Sequence, residues 1–189
     1  LKPPLFQLDV DEFAAEALRC RADVAVVVSP NNPTSLLVSK FDLLLLAKKL
    51  AGQDCLLIVD ESFIDFVDDC DQVTLENEVA EYGNLAILKS MSKAYGICGL
   101  RLGYLLTANQ KLAAAVRDKV PIWNVNGFAE AFLRLLPRYR RDFLESCQKV
   151  RNDRDDLYRR LTSIPGMTAY KPHANFVFCR LPDEALSGP

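Results

Sequence analysis

Four short runs of this chain, residues 23–29 (DVAVVVS), 55–60 (CLLIVD), 85–89 (LAILK) and 102–107 (LGYLLT), are almost continuously apolar. A strand with one wet face alternates apolar and polar residues; a strand covered on both faces does not have to. The runs therefore predict strands buried on both faces in a largely parallel sheet flanked by helices, an α/β fold. The segment between the first two runs supports this. Ser39 is followed at the third position by Asp42, a capping-box-like spacing, and Gly52 ends an apolar-rich stretch reaching Leu50. Strand, helix and strand in that order make a right-handed crossover unit.

From Pro121 the texture changes. Residues 126–136 read as a helix that Pro137 breaks or restarts, and 139–161 as a long helix with Phe143, Cys147, Val150, Leu157 and Leu161 on one stripe. Glu145 with Lys149, Asp155 with Arg159 and Asp156 with Arg160 stand at i,i+4, so the charge run reads as a solvated face. After Ile164-Pro165-Gly166, residues 174–180 (ANFVFCR) are predicted to be a strand opening a separate α+β unit. One strand and one helix cannot close a layer, so both ends read as cut from something larger.

Charge and composition narrow the function classes. Twenty-five acidic residues against 23 basic ones leave a formal charge of -2, which gives no general attraction to nucleic acid or anionic lipid. The longest apolar stretch, 43–47, falls far short of the roughly 20 residues that span a bilayer, and no charged-then-apolar leader opens the chain. The expectation is a soluble, cytoplasmic protein with no nucleic-acid or membrane partner. Six cysteines without a C-x-x-C pair and a single histidine give no zinc spacing, and the cysteines read as buried or idle thiols.

In open α/β sheets the reactive groups gather at the carboxyl ends of the strands. The first run delivers Ser29-Pro30-Asn31-Asn32-Pro33-Thr34-Ser35, the second Asp60 then Glu61, Ser62 and Phe63, and the third Ser90-Met91-Ser92-Lys93; Gly99-Leu100-Arg101 precedes the fourth. Singly each has a plain structural reading as turn, helix cap or surface charge. In order, with 28 residues from Asn32 to Asp60, 33 from Asp60 to Lys93 and 8 from Lys93 to Arg101, an amide, a carboxylate, a lysine and an arginine converge on one rim.

The strings VVVSPNNPTS, LLIVDESFIDF, LKSMSKAYGICGLRLGY and PIWNVNGFAEA resemble the fold-type I pyridoxal-phosphate enzymes of aminotransferase class I/II. Within that group the sequence is most similar to the branch of histidinol-phosphate aminotransferases and threonine-phosphate decarboxylases, and the likeness covers essentially the whole chain. It implies that residues 1–120 are part of a large cofactor-binding domain, 121–137 a connecting helix, and 138–189 the start of a small C-terminal domain. It also implies the cofactor pyridoxal 5'-phosphate, a small amino-acid or amino-phosphate substrate, and a homodimer in the intact parent. Lys93 matches the lysine that forms a Schiff base with the cofactor and then shuttles protons. Asp60 matches the carboxylate that keeps the pyridine nitrogen protonated, and Asn32 the amide donating to the ring oxygen O3'. Ser90 and Arg101, with Ser92 as a further candidate, match the groups that hold the cofactor phosphate.

This chain departs from the pattern at two positions. Phe63 stands where most relatives place a tyrosine that donates to O3', and Ser35 replaces the usual glycine of the NPTG motif. The family's phosphate loop and ring-stacking aromatic fall upstream of Leu1, and its substrate-carboxylate arginine downstream of Pro189; Arg180 is too early for that role. The leading reading is an aminotransferase acting through Lys93. The alternatives are a decarboxylase of a phosphorylated amino acid, favoured by Phe63 and Trp123, and a truncated module without activity of its own. His173, remote in sequence from the lysine, reads as a loop histidine without a catalytic role.

Overall fold

The computed structural model describes residues 3–181. Asp9 opens helix α1 (Val10–Arg19) by accepting the Glu12 amide. Strand β1 (Val24–Val28) follows, then α2 (Lys40–Ala51), whose N-cap Ser39 accepts the Asp42 amide as the spacing predicted. After β2 (Leu56–Asp60) come a 3₁₀ turn over Ile64–Phe66, the single turn α3 (Cys70–Val73) and β3 (Leu85–Ser90). The short α4 (Met91–Ala94) leads to β4 (Gly103–Thr107) and α5 (Gln110–Lys119).

The four strands lie in the order β1-β2-β3-β4. The first three are parallel, and β4 runs antiparallel to β3. The sheet core comes from alternate strand residues: Ala25, Val27, Leu57, Val59, Leu85 and Ile87 pack against Leu43, Leu46, Ala47 and Leu50 of α2 and Val10 and Ala14 of α1. Fully burying each large side chain of this kind contributes roughly 1.5–3 kcal/mol. The other parity is different. Val24, Val26 and Leu88 stay 47%, 55% and 42% exposed, although Ala86 on the same side is enclosed, so within the described residues α1 and α2 cover one face of the first three strands and the other is only partly covered. Continuous apolar character records that both faces are dry-adapted; it does not record which of them this stretch of chain covers.

Asn126 caps α6 (Gly127–Leu135) through the Ala129 amide, and Pro137 sits in a 3₁₀ turn that leads into α7 (Arg140–Thr162). The break at Pro137 is as expected, but the charge run of α7 is not wholly a solvated face. Arg154 is buried, its guanidinium donating to the carbonyls of Phe66 (2.8 Å) and His173 (3.3 Å). Asp155 pairs with Arg154 and Glu145 with Arg141, while Asp156 does reach Arg160. The expected strand over 174–180 shrinks to β6 (Cys179–Arg180), paired antiparallel with β5 (Thr168–Ala169). The reason is where the backbone donors go: the amides of His173 and Ala174 bond Ser35, so this stretch docks on the first half of the chain instead of entering a ladder.

Candidate active site

Parallel register sets the rim. Val28 pairs with Asp60 and Asp60 with Leu88, so β1 and β2 end level while β3 runs two residues further to Ser90, and the Ser29 amide donates to the Asp60 carbonyl at 3.0 Å. Asp60 shares the parity of Ile58, and Ser90 that of Leu88, which puts both on the face the helices leave open.

Three hydrogen bonds stitch the two strand ends together. The Asp60 carboxylate accepts the Ser62 amide at 2.9 Å; the Ser62 hydroxyl accepts the Ser90 amide at 2.9 Å; the Ser90 hydroxyl accepts the Ser92 amide at 3.3 Å and caps α4. Ser62 is thus the bridge between the aspartate turn and the lysine turn. Sequence reasoning missed it, although its place two residues after a strand-ending aspartate is an Asx-turn signal. Lys93 is exposed on α4, its ammonium 5.8 Å from the centroid of the Phe63 ring. Phe63 is buried, edge-on to Phe176 at 5.2 Å, with Phe66 and Ala174 in the same cluster. An apolar floor built from two distant parts of the chain therefore lies below the lysine.

Asn32 is exposed in the turn after β1, where Asn31 donates to Thr34 at 2.8 Å. Arg101 is exposed in left-handed backbone (φ 56°), its guanidinium donating to the Cys98 carbonyl at 3.1 Å. Asp60, Ser90 and Ser92 are thus linked through Ser62, and Lys93 lies over Phe63, whereas Asn32 and Arg101 stand on their own turns. Gly103 is what lets β4 close here: a Cβ would meet the Lys89 carbonyl oxygen at 2.8 Å, opposite Ser90 in the register.

Beneath the rim, on the helix-covered side, lies a polar network that sequence reasoning also missed. Lys89 pairs with Asp65 at 3.0 Å and lies 3.8 Å from Glu76, which in turn accepts the hydroxyl of Tyr104, the cross-strand partner of Lys89. Burial pulls the Lys89 ammonium down, but Asp65 first and then Glu76 and Glu61 outweigh it, and its pKa ends above the usual lysine range. Glu61 is wholly enclosed; its carboxylate accepts the Thr74 hydroxyl (2.6 Å) and the Leu75 amide (2.8 Å), and burial raises its pKa despite them. This network locks the loop carrying Phe63 to the strand that delivers Lys93. His173, remote in sequence, lines a cavity with Asn31. Burial, then Lys171 and Arg154, push its imidazole below the usual histidine range.

A lysine at one strand end, a carboxylate at the next and hydroxyl and guanidinium groups beside them, on the open face of a mostly parallel sheet, define a pyridoxal-phosphate enzyme of fold type I. The family model for aminotransferase class I and II matches residues 1–187, and the chain belongs to that family, whose cofactor is pyridoxal 5'-phosphate. It is 46% identical over 181 residues to the CMP-5'-(3-aminopropyl)phosphonate synthase of Streptomyces rubellomurinus, covering 96% of this chain and 28% of that protein. It is 33% identical to the L-serine phosphate decarboxylase of Sulfurospirillum multivorans, covering 95% of this chain and 46% of the relative. The histidinol-phosphate aminotransferase structure from Clostridium acetobutylicum superimposes with a TM-score of 0.79 at 28% identity, over 93% of this chain and 52% of that one. The chain thus spans about half the length of these proteins, or less. No described helix is long and apolar enough to cross a membrane.

Proposed function

We propose that the intact protein is a pyridoxal-phosphate-dependent decarboxylase of a small amino acid bearing a phosphate or phosphonate. The observation that carries this reading is the apolar Phe63–Phe176 floor under Lys93. An apolar surface disfavours a carboxylate relative to the neutral carbon dioxide it becomes, so the charged ground state loses more there than the transition state does. The relatives support the same direction: one is named for L-serine phosphate decarboxylation, and the aminopropylphosphonate of another is a primary amine with a phosphonate and no carboxylate.

The donor set fits the cofactor. Lys93 would hold its aldehyde carbon, Asp60 its ring nitrogen, Asn32 its ring oxygen, and Ser90, Ser92 and Arg101 its phosphate; when bound, the group supplies an electron sink for the pair left at the substrate's Cα. With the group bound, the Asp60 carboxylate would sit against the ring nitrogen, Ser62 fixes that carboxylate through its amide, and the exposed Lys93 amine would be placed to move a proton at the substrate carbon.

Transamination is the second reading, and the one the sequence alone puts first. The same Lys93 amine can move a proton between two carbons, and the histidinol-phosphate aminotransferase structure shares the fold. Incubating the intact protein with pyridoxal phosphate and O-phospho-L-serine separates the two. Carbon dioxide and phosphoethanolamine formed without any 2-oxo acid support decarboxylation; glutamate formed from added 2-oxoglutarate, with no carbon dioxide, overturns it.

The intact protein also reads as a homodimer. Ile122, Trp123 and Phe128 are 87%, 92% and 82% exposed around the start of α6, an apolar patch that a second copy would cover. A monomeric mass by light scattering for the cofactor-saturated protein would contradict this.

A further inference from the structure

Ser35 occupies a position where a side chain is unwelcome. Its backbone is left-handed (φ 60°), a conformation glycine takes freely and other residues do not. Yet it is completely buried, and its hydroxyl is in use: Oγ accepts the amides of Ala174 at 2.8 Å and His173 at 3.1 Å, while its carbonyl also accepts the His173 amide at 2.9 Å. The Ser35 amide donates back to the Asn31 carbonyl at 2.6 Å. The glycine that the family motif ordinarily has here would relieve the backbone and leave the buried Ala174 amide without its partner.

The segment held by this hydroxyl leads to the lysine. Ala174 packs with Phe63 and Phe66, Phe176 stands edge-on to Phe63, and Phe63 lies under Lys93. From the other side Arg154 holds the His173 carbonyl and the Phe66 carbonyl together. A continuous path of contacts therefore runs from the turn of Asn31 and Asn32, through Ser35, into the 173–176 segment and on to the floor beneath Lys93.

We infer that Ser35 is a positioning residue that couples the Asn32 turn to the Phe63–Phe176 floor, so that cofactor seated on the rim tightens the 173–176 segment. The inference rests on the cofactor and is independent of whether the reaction is a decarboxylation. It is tested by hydrogen exchange, read by mass spectrometry, on the intact protein and its Ser35→Ala and Ser35→Gly variants, each with and without saturating pyridoxal phosphate. Ser35→Ala keeps the strained backbone and Ser35→Gly releases it, so an effect common to both belongs to the hydroxyl.

The expected result is that pyridoxal phosphate slows exchange at Ala174 in the parent protein. Both variants exchange about tenfold faster there without cofactor, as loss of one buried hydrogen bond implies. Both also lose the cofactor-dependent slowing while still taking up pyridoxal phosphate on borohydride reduction, and the β1 and β2 amides stay protected. Protection of Ala174 in Ser35→Gly equal to the parent's, or a parent segment that ignores an attached cofactor, overturns the inference. Should Ser35→Ala fail to fold, parent-like protection of Ala174 in Ser35→Gly still overturns the inference. Absence of carbon dioxide release with the Ala174 response intact removes only the decarboxylase reading.

Discussion

The two faces of the sheet are made of the same strands and the same residue types, and they behave differently. On one face Ala25, Val27, Leu57, Val59, Leu85 and Ile87 are buried under α1 and α2; on the other Val24, Val26 and Leu88 remain open. The covered face holds the fold together and carries Lys89 with its partly buried carboxylate partners. The open face carries Asp60 and Ser90, and Lys93 stands on α4 just after them in the chain, its ammonium over the Phe63 ring. We propose that the chemistry sits on the side this stretch of chain leaves accessible, while stability comes from the side it closes.

Four substitutions press on that difference, from the largest effect down. Lys89→Met strands the Asp65 and Glu76 carboxylates, and Asp65 already has one buried oxygen without a partner, so a loss of about 3–5 kcal/mol is expected in urea unfolding at neutral pH. The raised Lys89 pKa fixes the sign of the pH dependence. Its contribution is complete below the usual lysine value and disappears as pH rises through the higher folded value, so the parent and variant should converge in strong alkali. Leu57→Ala, in the closed core, should cost about 2–5 kcal/mol. If position 63 faces the cofactor oxygen, as proposed, Phe63→Tyr adds a donor there and should lower the pH midpoint of the bound cofactor's visible band by about one to two units, from the worth of a hydrogen bond to a charged acceptor. A midpoint that stays or rises would mean that position 63 does not face that oxygen. Val26→Ala, on the open face, should change stability by no more than about 0.5 kcal/mol. A loss matching that of Leu57→Ala would show the two faces to be equally covered in the intact protein.

The strands were readable because buried parallel strands need no alternation, and α2 because Ser39 and Asp42 stand at capping distance. The rim was readable because it hangs on strand ends at fixed spacings. Which face stays open was not, since Val26 and Val27 are the same residue and only their neighbours in space differ. Arg154 could not be told from the charges around it, because what sets it apart from them is two backbone carbonyls, those of Phe66 and His173, which leave no mark in sequence. The stretch at 174–180 looked like a strand because its apolar pattern is real, but the amides of His173 and Ala174 at its entry end on Ser35. Ser35 itself was visible as a departure from the glycine of the motif, and its hydroxyl acquires a purpose only once His173, 138 positions further along the chain, has folded back on it.

The central claim is that the cofactor rim lies on the open face and is served by Lys93. Four residues away Lys89 offers a second amine on the covered face, pinned by Asp65. Pyridoxal phosphate added to the intact protein, fixed with borohydride and mapped by peptide mass spectrometry, reports which of the two it reaches. The account expects a single reduced adduct at Lys93, absent from Lys93→Ala, with Lys89 unmodified in both. Equal labelling of Lys89, or full-stoichiometry labelling of another lysine in Lys93→Ala, would contradict it.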